Sequence, residues 1–302
     1  MTTRVHICEV GPRDGLQNAH HLMATEAKKA WIRALAVAGL KEIEVGSFVP
    51  PKLIPAMADT GEIVSFAKTI PGLKVVALAP NLKGFQRALE AGAHKVTFPV
   101  SASRKHSESN VRMTPEQMIE EVRKCAQFPH PGVEIEGAVS TAFGCTMQGD
   151  VPEDDVVRIA AALAEFCDCV ALADTVGYAN PAQIRRIFRK VKNQIGSKLE
   201  AAHLHNTRGL GLANALAAYE EDVRHFDSSM GGLGGCPFAP GASGNVITED
   251  LVFMFESMGI STGIDFDKLL AARELLKKGI PEEPIYGHTP EAGLPKGFRA
   301  NA

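Results

Sequence analysis

The sequence has no long apolar run and no excess of positive charge, and these two absences exclude broad classes of protein. None of its stretches reaches the roughly 18 consecutive apolar residues that a membrane-spanning helix needs. Its 32 Lys and Arg residues are outnumbered by 35 Asp and Glu residues, so the formal net charge is -3. A chain of this charge lacks the bulk basic surface that a phosphate backbone binds. We therefore expect neither a membrane protein nor a protein whose main partner is nucleic acid.

Cysteine is scarce and no targeting segment is evident. The six cysteines among 302 residues show no disulfide-scaffold spacing, which is typical of a protein in a reducing compartment. Residues 1–15 lack the basic start, apolar middle and cleavage site of a signal peptide. Residues 298–302 carry neither a prenylation nor a peroxisomal signal. These features predict a cytoplasmic location.

What the sequence does contain is a repeated alternation of short β-branched runs and longer amphipathic stretches. The strand-like runs are residues 5–9, 42–46, 74–78, 95–99, 133–139, 169–173, 201–205 and 223–227. A closed barrel of parallel strands needs eight such units, so we predict a (β/α)8 TIM barrel. A doubly wound sheet is the alternative, but it favours a glycine-rich fingerprint after the first strand, and Gly-Pro-Arg-Asp-Gly at 11–15 does not match that fingerprint.

The helix starts and the end of the barrel are also predicted from local chemistry. Thr25 and Thr114 are candidate N-caps, and Gln117 completes a capping box with Thr114. Acidic residues after Pro152 and the Asn180-Pro181 pair predict two further helix starts. Because no Pro/Gly/Ser linker interrupts the chain before Gly279, residues 1–280 are expected to form the barrel. Residues 281–302 are expected to form an extended tail that packs on the domain or on a neighbour.

Polar side chains gather where the predicted strands end. In a (β/α)8 barrel the carboxyl ends of the strands and the loops after them build the active site. The side chains near these ends are Glu9, Arg13, Asp14, Glu44, Asn81, Asp174, His203, His205 and Asp227. The sequence therefore predicts an active site on this face of the barrel.

The His203-Leu204-His205 tripeptide is the sharpest local motif. Residues two apart on a strand point to one face, so the two imidazoles can converge on one metal ion, although a pair of structural histidines is the alternative. Asp14 offers a carboxylate oxygen and Asn245 an amide oxygen to the same ion. Nitrogen and oxygen ligands with room for substrate favour an octahedral Mg²⁺ or Mn²⁺ site over a closed zinc site.

Two further groups are candidates for chemistry. Arg13 stays protonated and can stabilise a developing enolate oxygen, and the glycines and proline around it favour an unusual turn. An ordinary surface ion pair with Asp14 is the alternative for this residue. Cys236 lies in a loop with four nearby glycines, where a thiol can approach a ligand and transfer a proton.

At these residues the sequence resembles the metal-dependent acyl-CoA lyases of the hydroxymethylglutaryl-CoA lyase type. The matching segments are residues 9–18, 43–49, 78–84, 174–177, 203–205 and 232–245. The resemblance implies an acyl-CoA thioester substrate, cleavage to acetoacetate and acetyl-CoA, a setting in leucine degradation, and a divalent cation. It implies Asp14, His203, His205 and Asn245 as the metal ligands, Arg13 as the residue that binds the substrate and stabilises the enolate, and Cys236 as the proton carrier. Glu44 and Asp174 match acidic positions important to activity.

Several alternatives remain open. Asn206, Arg208 and Leu210 stand where lyases of this type usually have Asp, Tyr and Gln, so a lyase of citramalyl-CoA or of a longer branched 3-hydroxyacyl-CoA is a rival within the class. A metal-dependent amidohydrolase also uses a His-x-His pair, but on its first strand. A non-catalytic CoA-binding scaffold is the third option. The proline-rich tail makes a homo-oligomer, most simply a dimer, plausible.

Overall fold

The computed structural model describes residues 4–234 and 244–301, and its centre is a closed barrel of eight parallel strands. The strands pair in chain order, and the last pairs with the first. They are β1 (His6–Glu9), β2 (Glu42–Ser47), β3 (Lys74–Leu78), β4 (Lys95–Ser101), β5 (Glu134–Ser140), β6 (Cys169–Asp174), β7 (Leu199–Leu204) and β8 (His225–Ser228). The predicted (β/α)8 barrel is confirmed, and each strand lies within two residues of its predicted bounds.

Helices follow the strands and surround the barrel. Within the described residues they are α1 (Thr25–Val37), α2 (Thr60–Ala67), α3 (Leu82–Ala91), α4 (Arg104–Val111), α5 (Pro115–Gln127), α6 (Glu153–Ala164), α7 (Pro181–Ile195), α8 (Gly211–Glu220), α9 (Thr248–Ser257), α10 (Phe266–Gly279) and α11 (His288–Ala292). Every β-α step in such a barrel returns the chain to the same end, so the loops that follow the strands share one face. Among the helices that the structure describes, none combines the length and apolarity needed to cross a bilayer.

Three of the four predicted helix starts are confirmed. Thr114 accepts from the Gln117 backbone while the Gln117 side chain accepts from the Thr114 backbone, which completes the capping box before α5. Asn180 caps α7, and acidic residues occupy the first turn of α6. The Thr25 N-cap prediction is wrong. Thr25 is already the first residue of α1, and its hydroxyl donates to Asp59 Oδ2 at 2.8 Å, so its side chain joins α1 to the start of α2.

The core consists of the strand interiors and the inner faces of the helices, where aromatic side chains fill the largest volumes. Trp31 on α1 and Phe226 on β8 are fully buried, and Phe226 lies 5.1 Å from Phe255 on α9. The amino-terminal end of the barrel interior is charged instead: Lys95 Nζ lies 2.6 Å from Glu136 Oε2 and 3.3 Å from Glu42 Oε1. Buried charges of this kind need partners, and these residues supply them to one another. The candidate site lies at the opposite end of the barrel, where the strands have their carboxyl-terminal ends.

The residues after α10 pack against the barrel domain. Phe298 contacts Phe253 and Phe266 with ring centroids 5.4 and 6.5 Å apart. The Asn301 backbone and amide both donate to Glu256, near the end of α9. The segment includes the short helix α11, whereas the sequence indicated an extended tail. A division into a domain of residues 1–280 and a tail of residues 281–302 stays a prediction.

Candidate active site

The first site element is the tight turn directly after β1. Residues Gly11–Gly15 form one π-helical turn, in which the backbone N–H groups of Asp14 and Gly15 both donate to Val10 O. A Cβ on Gly11 would lie 2.5 Å from Glu9 Oε1 and 2.9 Å from the Trp31 ring, so only glycine fits there. The unusual turn expected from the glycines and proline is present, and it directs Arg13 and Asp14 into the barrel mouth.

Arg13 is buried between two carboxylates. Its Nε donates to Glu44 Oε2 at 2.5 Å and its Nη1 to Asp14 Oδ1 at 2.5 Å. Burial raises the pKa of Glu44 to about 7, although the Arg13 charge opposes the rise. Glu44 Oε1 has no hydrogen-bond partner among the described residues. The guanidinium is therefore fixed in position, which is different from the loose surface ion pair that was the alternative.

Asp14, His203 and His205 form the second element. Asp14 Oδ2 lies 3.8 Å from His203 Nε2 and 3.7 Å from His205 Nε2, and the two ring nitrogens are 3.3 Å apart. All three candidate ligand atoms lie within 4.8 Å of one another. His205 stands just past the end of β7 and forms an isolated bridge with Asn245, which brings the fourth predicted ligand to the cluster.

Unpaired polar atoms show that this cluster fits a cation. Asn245 is fully buried, and its Nδ2 donates to Asp14 Oδ2 at 2.7 Å while its Oδ1 has no partner among the described residues. Nδ2 also donates to Leu233 O at 3.1 Å, so the amide would give up these two hydrogen bonds in turning its oxygen toward an ion in the cluster. Burial acts to raise the pKa of Asp14, but Arg13 and the two histidines outweigh it and hold the pKa well below its usual range. Asp14 is therefore ionised, and the set of a carboxylate, two imidazoles and an amide suits Mg²⁺ or Mn²⁺.

Asp227 is a site residue that the sequence interpretation placed at a strand end but did not assign. Its Oδ2 lies 3.0 Å from His203 Nδ1, and the two residues are neighbours across β7 and β8. Burial lowers the pKa of His203, but the hydrogen bond and charge of Asp227 outweigh it, so the net shift is upward. A carboxylate on the far nitrogen of a metal-binding histidine orients the ring and increases its basicity. The available signal was its place at the end of the strand beside the His-x-His strand.

We expect Asp227→Asn to weaken the binding of Mn²⁺ by roughly 10- to 100-fold, the usual cost of losing such an outer carboxylate. Mn²⁺ titration followed by electron paramagnetic resonance measures this directly. Asp265→Asn is the control, because Asp265 is an exposed carboxylate that pairs with Lys268 at the start of α10, away from the cluster. Equal Mn²⁺ affinity in wild type and Asp227→Asn would contradict the orienting role.

Glu9 is a second residue that was noted at a strand end but given no role. Its Oε1 accepts from the backbone of Gly11 at 2.9 Å and of Met230 at 2.8 Å, and its Oε2 accepts from Thr248 Oγ1 at 2.6 Å. Burial raises the pKa of Glu9 to about 8 against these hydrogen bonds. The Glu9 carboxyl group thus connects the turn that carries Arg13 with Met230 and Thr248. These two residues lie in the described segments on either side of residues 235–243.

Asp174 lies at the carboxyl end of β6, but it makes no hydrogen bond to the cluster. Its two oxygens accept from the backbone of Tyr178 at 2.9 Å and of Ala179 at 3.1 Å. The group therefore fixes the β6–α7 loop. The structure brings Arg13, Glu44, Asp14, His203, His205 and Asn245 together and places Asp174 in a neighbouring loop.

Cys236 lies outside the described residues. The last described residue before it, Gly234, has a φ of +96° and packs directly on the cluster. A Cβ at this position would lie 2.5 Å from Asn245 Nδ2 and 3.1 Å from the Asp14 carbonyl oxygen. The role of Cys236 stays a prediction.

Comparison with known proteins agrees with this geometry. The HMGL-like family model matches residues 4–276. Hydroxymethylglutaryl-CoA lyase YngG of Bacillus subtilis (strain 168) is 40% identical over 279 residues, which are 91% of this chain and 93% of the relative. The human mitochondrial hydroxymethylglutaryl-CoA lyase is 40% identical over 273 residues, 89% of this chain and 83% of the relative.

A solved structure extends the similarity to three dimensions. An HMG-CoA lyase from A. baumannii, solved in complex with coenzyme A and 3-methylmalate, superposes with a TM-score of 0.92 at 40% sequence identity. The match covers 99% of this chain and 98% of that chain. Sequence, fold and candidate site thus agree, and the chain belongs to the HMGL-like family, among its hydroxymethylglutaryl-CoA lyases.

Proposed function

We propose that this protein is a divalent-metal-dependent carbon–carbon lyase that cleaves 3-hydroxy-3-methylglutaryl-CoA to acetoacetate and acetyl-CoA. The observation that carries the proposal is the Asp14–His203–His205 cluster beside a fixed Arg13 guanidinium at the mouth of the barrel. The relatives of this chain carry the name of this activity. A cation site next to a buried positive charge is the arrangement that cleavage to an enolate requires.

Asp14, His203, His205 and Asn245 are the residues that would hold the ion. A divalent cation bound there supplies Lewis acidity to the hydroxyl and carbonyl oxygens of the acyl chain. Asp227 keeps the His203 ring in place, since it contacts the nitrogen that faces away from Asp14. Magnesium or manganese is the proposed metal, because the ligands are nitrogen and oxygen and include no thiolate.

The side chains then divide the remaining work. Arg13 binds the substrate and stabilises the negative charge that develops on the thioester oxygen when the carbon–carbon bond breaks. Glu44 holds the Arg13 guanidinium through Nε, so the charge needs no rearrangement during the reaction. The Cys236 thiol is the proposed donor of the proton that converts the enolate carbon into the methyl group of acetyl-CoA. Asp174 supports the site through the β6–α7 loop.

The alternative substrates belong to the same experiment. Citramalyl-CoA and longer branched 3-hydroxyacyl-CoA thioesters share the hydroxyl and thioester groups and differ in what surrounds the hydroxyl carbon. Membership of the family makes the amidohydrolase and the non-catalytic scaffold unnecessary as explanations. The histidine pair also lies at the end of β7, whereas an amidohydrolase has it on the first strand.

The test is a panel of these thioesters assayed with and without Mg²⁺ or Mn²⁺. We expect acetoacetate and acetyl-CoA to form from hydroxymethylglutaryl-CoA, and we expect chelation to remove the activity and added metal to restore it. A rate that survives complete chelation would contradict the metal mechanism. Strong cleavage of citramalyl-CoA with none of hydroxymethylglutaryl-CoA would replace the proposed substrate.

The proposal extends to the setting of the enzyme. Its products suit leucine degradation, and the scarcity of cysteine supports a cytoplasmic location. The absence of a basic excess supports a small-molecule thioester as its partner rather than nucleic acid, and we propose a homo-oligomer, most simply a dimer. Size-exclusion chromatography with light scattering tests the last point.

A further inference from the structure

Arg208 is an exposed arginine at the mouth of the barrel, and contacts to the neighbouring loop orient its guanidinium. It lies in the loop between β7 and α8, three residues after His205. Its Nη1 donates to the carbonyl oxygens of Val176 at 3.1 Å and Gly177 at 3.0 Å, both in the β6–α7 loop. Its guanidinium carbon lies 4.4 Å from the centroid of the Tyr178 ring. Stacking on an aromatic face with two carbonyl contacts leaves the group little rotational freedom.

The charge of Arg208 is not neutralised by an ion pair. No carboxylate among residues 4–234 and 244–301 forms an ion pair with it, and within these residues its side chain contacts the two carbonyls and the Tyr178 ring. Residues 235–243 contain no acidic side chain. A guanidinium has five N–H donors, so Nε and Nη2 keep donors free for an anion. Arg13, which also lies near the cluster, differs because Glu44 accepts from its Nε and Asp14 from its Nη1, so two carboxylates already offset its charge.

The loop that supports Arg208 is itself built around a buried carboxylate. Asp174 accepts from the backbone of Tyr178 and Ala179, and it interacts electrostatically with both His205 and Arg208. Arg208 and the metal-ligand histidine therefore lie within electrostatic reach of one side chain. Three residues of chain span at most about 11 Å, so Arg208 starts close to the cluster.

We propose that Arg208 is a substrate-binding residue that recognises the free carboxylate at the end of the acyl chain. This inference rests on the proposed function. The acyl chain has only one methylene between its hydroxyl carbon and that carboxylate, whereas the phosphates of coenzyme A lie beyond the long pantetheine arm. Because Nη1 already donates to Val176 and Gly177, the Nε–Nη2 edge of the planar guanidinium is left to match a carboxylate in bidentate geometry. Arg208 then distinguishes acyl chains that end in a carboxylate from uncharged chains of the same length.

The experiment compares hydroxymethylglutaryl-CoA with its methyl ester at the free carboxylate. We expect Arg208→Gln to lower kcat/KM for the acid by about 10- to 100-fold, the range for one charge-assisted contact. For the ester we expect a change of only about 2-fold. Arg208→Lys keeps the positive charge but loses the planar bidentate donor pair. Its kcat/KM for the acid is therefore expected to lie between those of wild type and Arg208→Gln. Arg189→Gln is the matched control, because Arg189 is exposed on α7 and already paired with Glu221.

Binding measurements separate this inference from the proposed function. Calorimetry on the Mn²⁺-loaded protein uses acetoacetate, which carries only the carboxylate, and coenzyme A, which carries only the phosphates. Weaker binding of acetoacetate to Arg208→Gln, with coenzyme A unchanged, supports the inference. Equal losses for acid and ester would make Arg208 a loop-positioning residue, and weaker binding of coenzyme A alone would make it a phosphate contact; either result overturns the inference. If wild type binds acetoacetate but cleaves no thioester, the proposed function fails while Arg208 is still tested.

Discussion

Replacing Asp14 by alanine is expected to lower turnover by at least about 10³-fold, because a bound cation contributes several kcal/mol of charge stabilisation and each 1.36 kcal/mol is tenfold in rate. Asp14 is the carboxylate of the cluster, and its Oδ2 lies within 3.8 Å of both histidine Nε2 atoms. Its loss removes the only negative charge among the four proposed ligands. Turnover at saturating Mn²⁺ and Mn²⁺ affinity measure the effect together.

The control for Asp14 separates loss of the ligand from loss of the fold. Asp14→Asn keeps the shape and one oxygen, so we expect its activity to lie between those of wild type and Asp14→Ala. Asp222→Ala removes an exposed carboxylate that pairs with Lys192 in the α8–β8 loop, and we expect no change in Mn²⁺ affinity. If Asp14→Ala retained wild-type Mn²⁺ affinity and turnover, the cluster would not be the metal site.

Replacing Arg13 by methionine is the second change with a large expected effect. Removal of one preorganised donor to a developing oxyanion costs about 10² to 10³ in kcat. The same change leaves Glu44, which is 3% exposed, without its partner charge. Breaking a buried ion pair by removing one member destabilises a protein by roughly 3–5 kcal/mol, so Arg13→Met is expected to lower both kcat and the free energy of unfolding.

A double variant separates these two consequences. Arg13→Met combined with Glu44→Gln removes the unpaired buried carboxylate. We therefore expect the double variant to regain most of the free energy of unfolding that Arg13→Met loses, as measured by urea unfolding. Because the guanidinium is still absent, kcat is expected to stay low. Recovery of kcat together with stability would show that Arg13 supports the fold and has no part in stabilising the enolate.

The fold was predictable because its pattern is local and repeated. The run at 74–78 has the bounds of β3, and the capping box at Thr114 begins α5, since both depend on neighbouring residues. Thr25 shows the limit of such reasoning. A threonine before an apolar stripe favours an N-cap, but contact with Asp59, which is 34 residues away, draws its hydroxyl to another helix.

The candidate site was predictable to the extent that its residues form recognisable motifs. His203-Leu204-His205 and Arg13-Asp14 are short motifs with a clear chemical meaning, and the structure brings them together. Asp227 and Glu9 gave a weaker signal. Each is a single carboxylate at a strand end, and sequence does not reveal which of several facing groups it will contact. The role of Asp227 depends on its contact to His203, and that of Glu9 on its contacts to Met230 and Thr248.

Neighbouring residues alone sufficed to predict the barrel, the face on which the candidate site lies and the residue types available for chemistry, because strand periodicity and helix capping are local properties. Which of these groups form ion pairs with one another depends on the three-dimensional fold. Arg13 and Arg208 are both arginines in loops after strands, but closure of the barrel pairs the first with Glu44, whereas the second donates to two backbone carbonyls and forms no ion pair within the described residues. Contacts between residues distant in sequence set burial and charge pairing, and these decide how each side chain is held and how much of its charge a neighbour offsets.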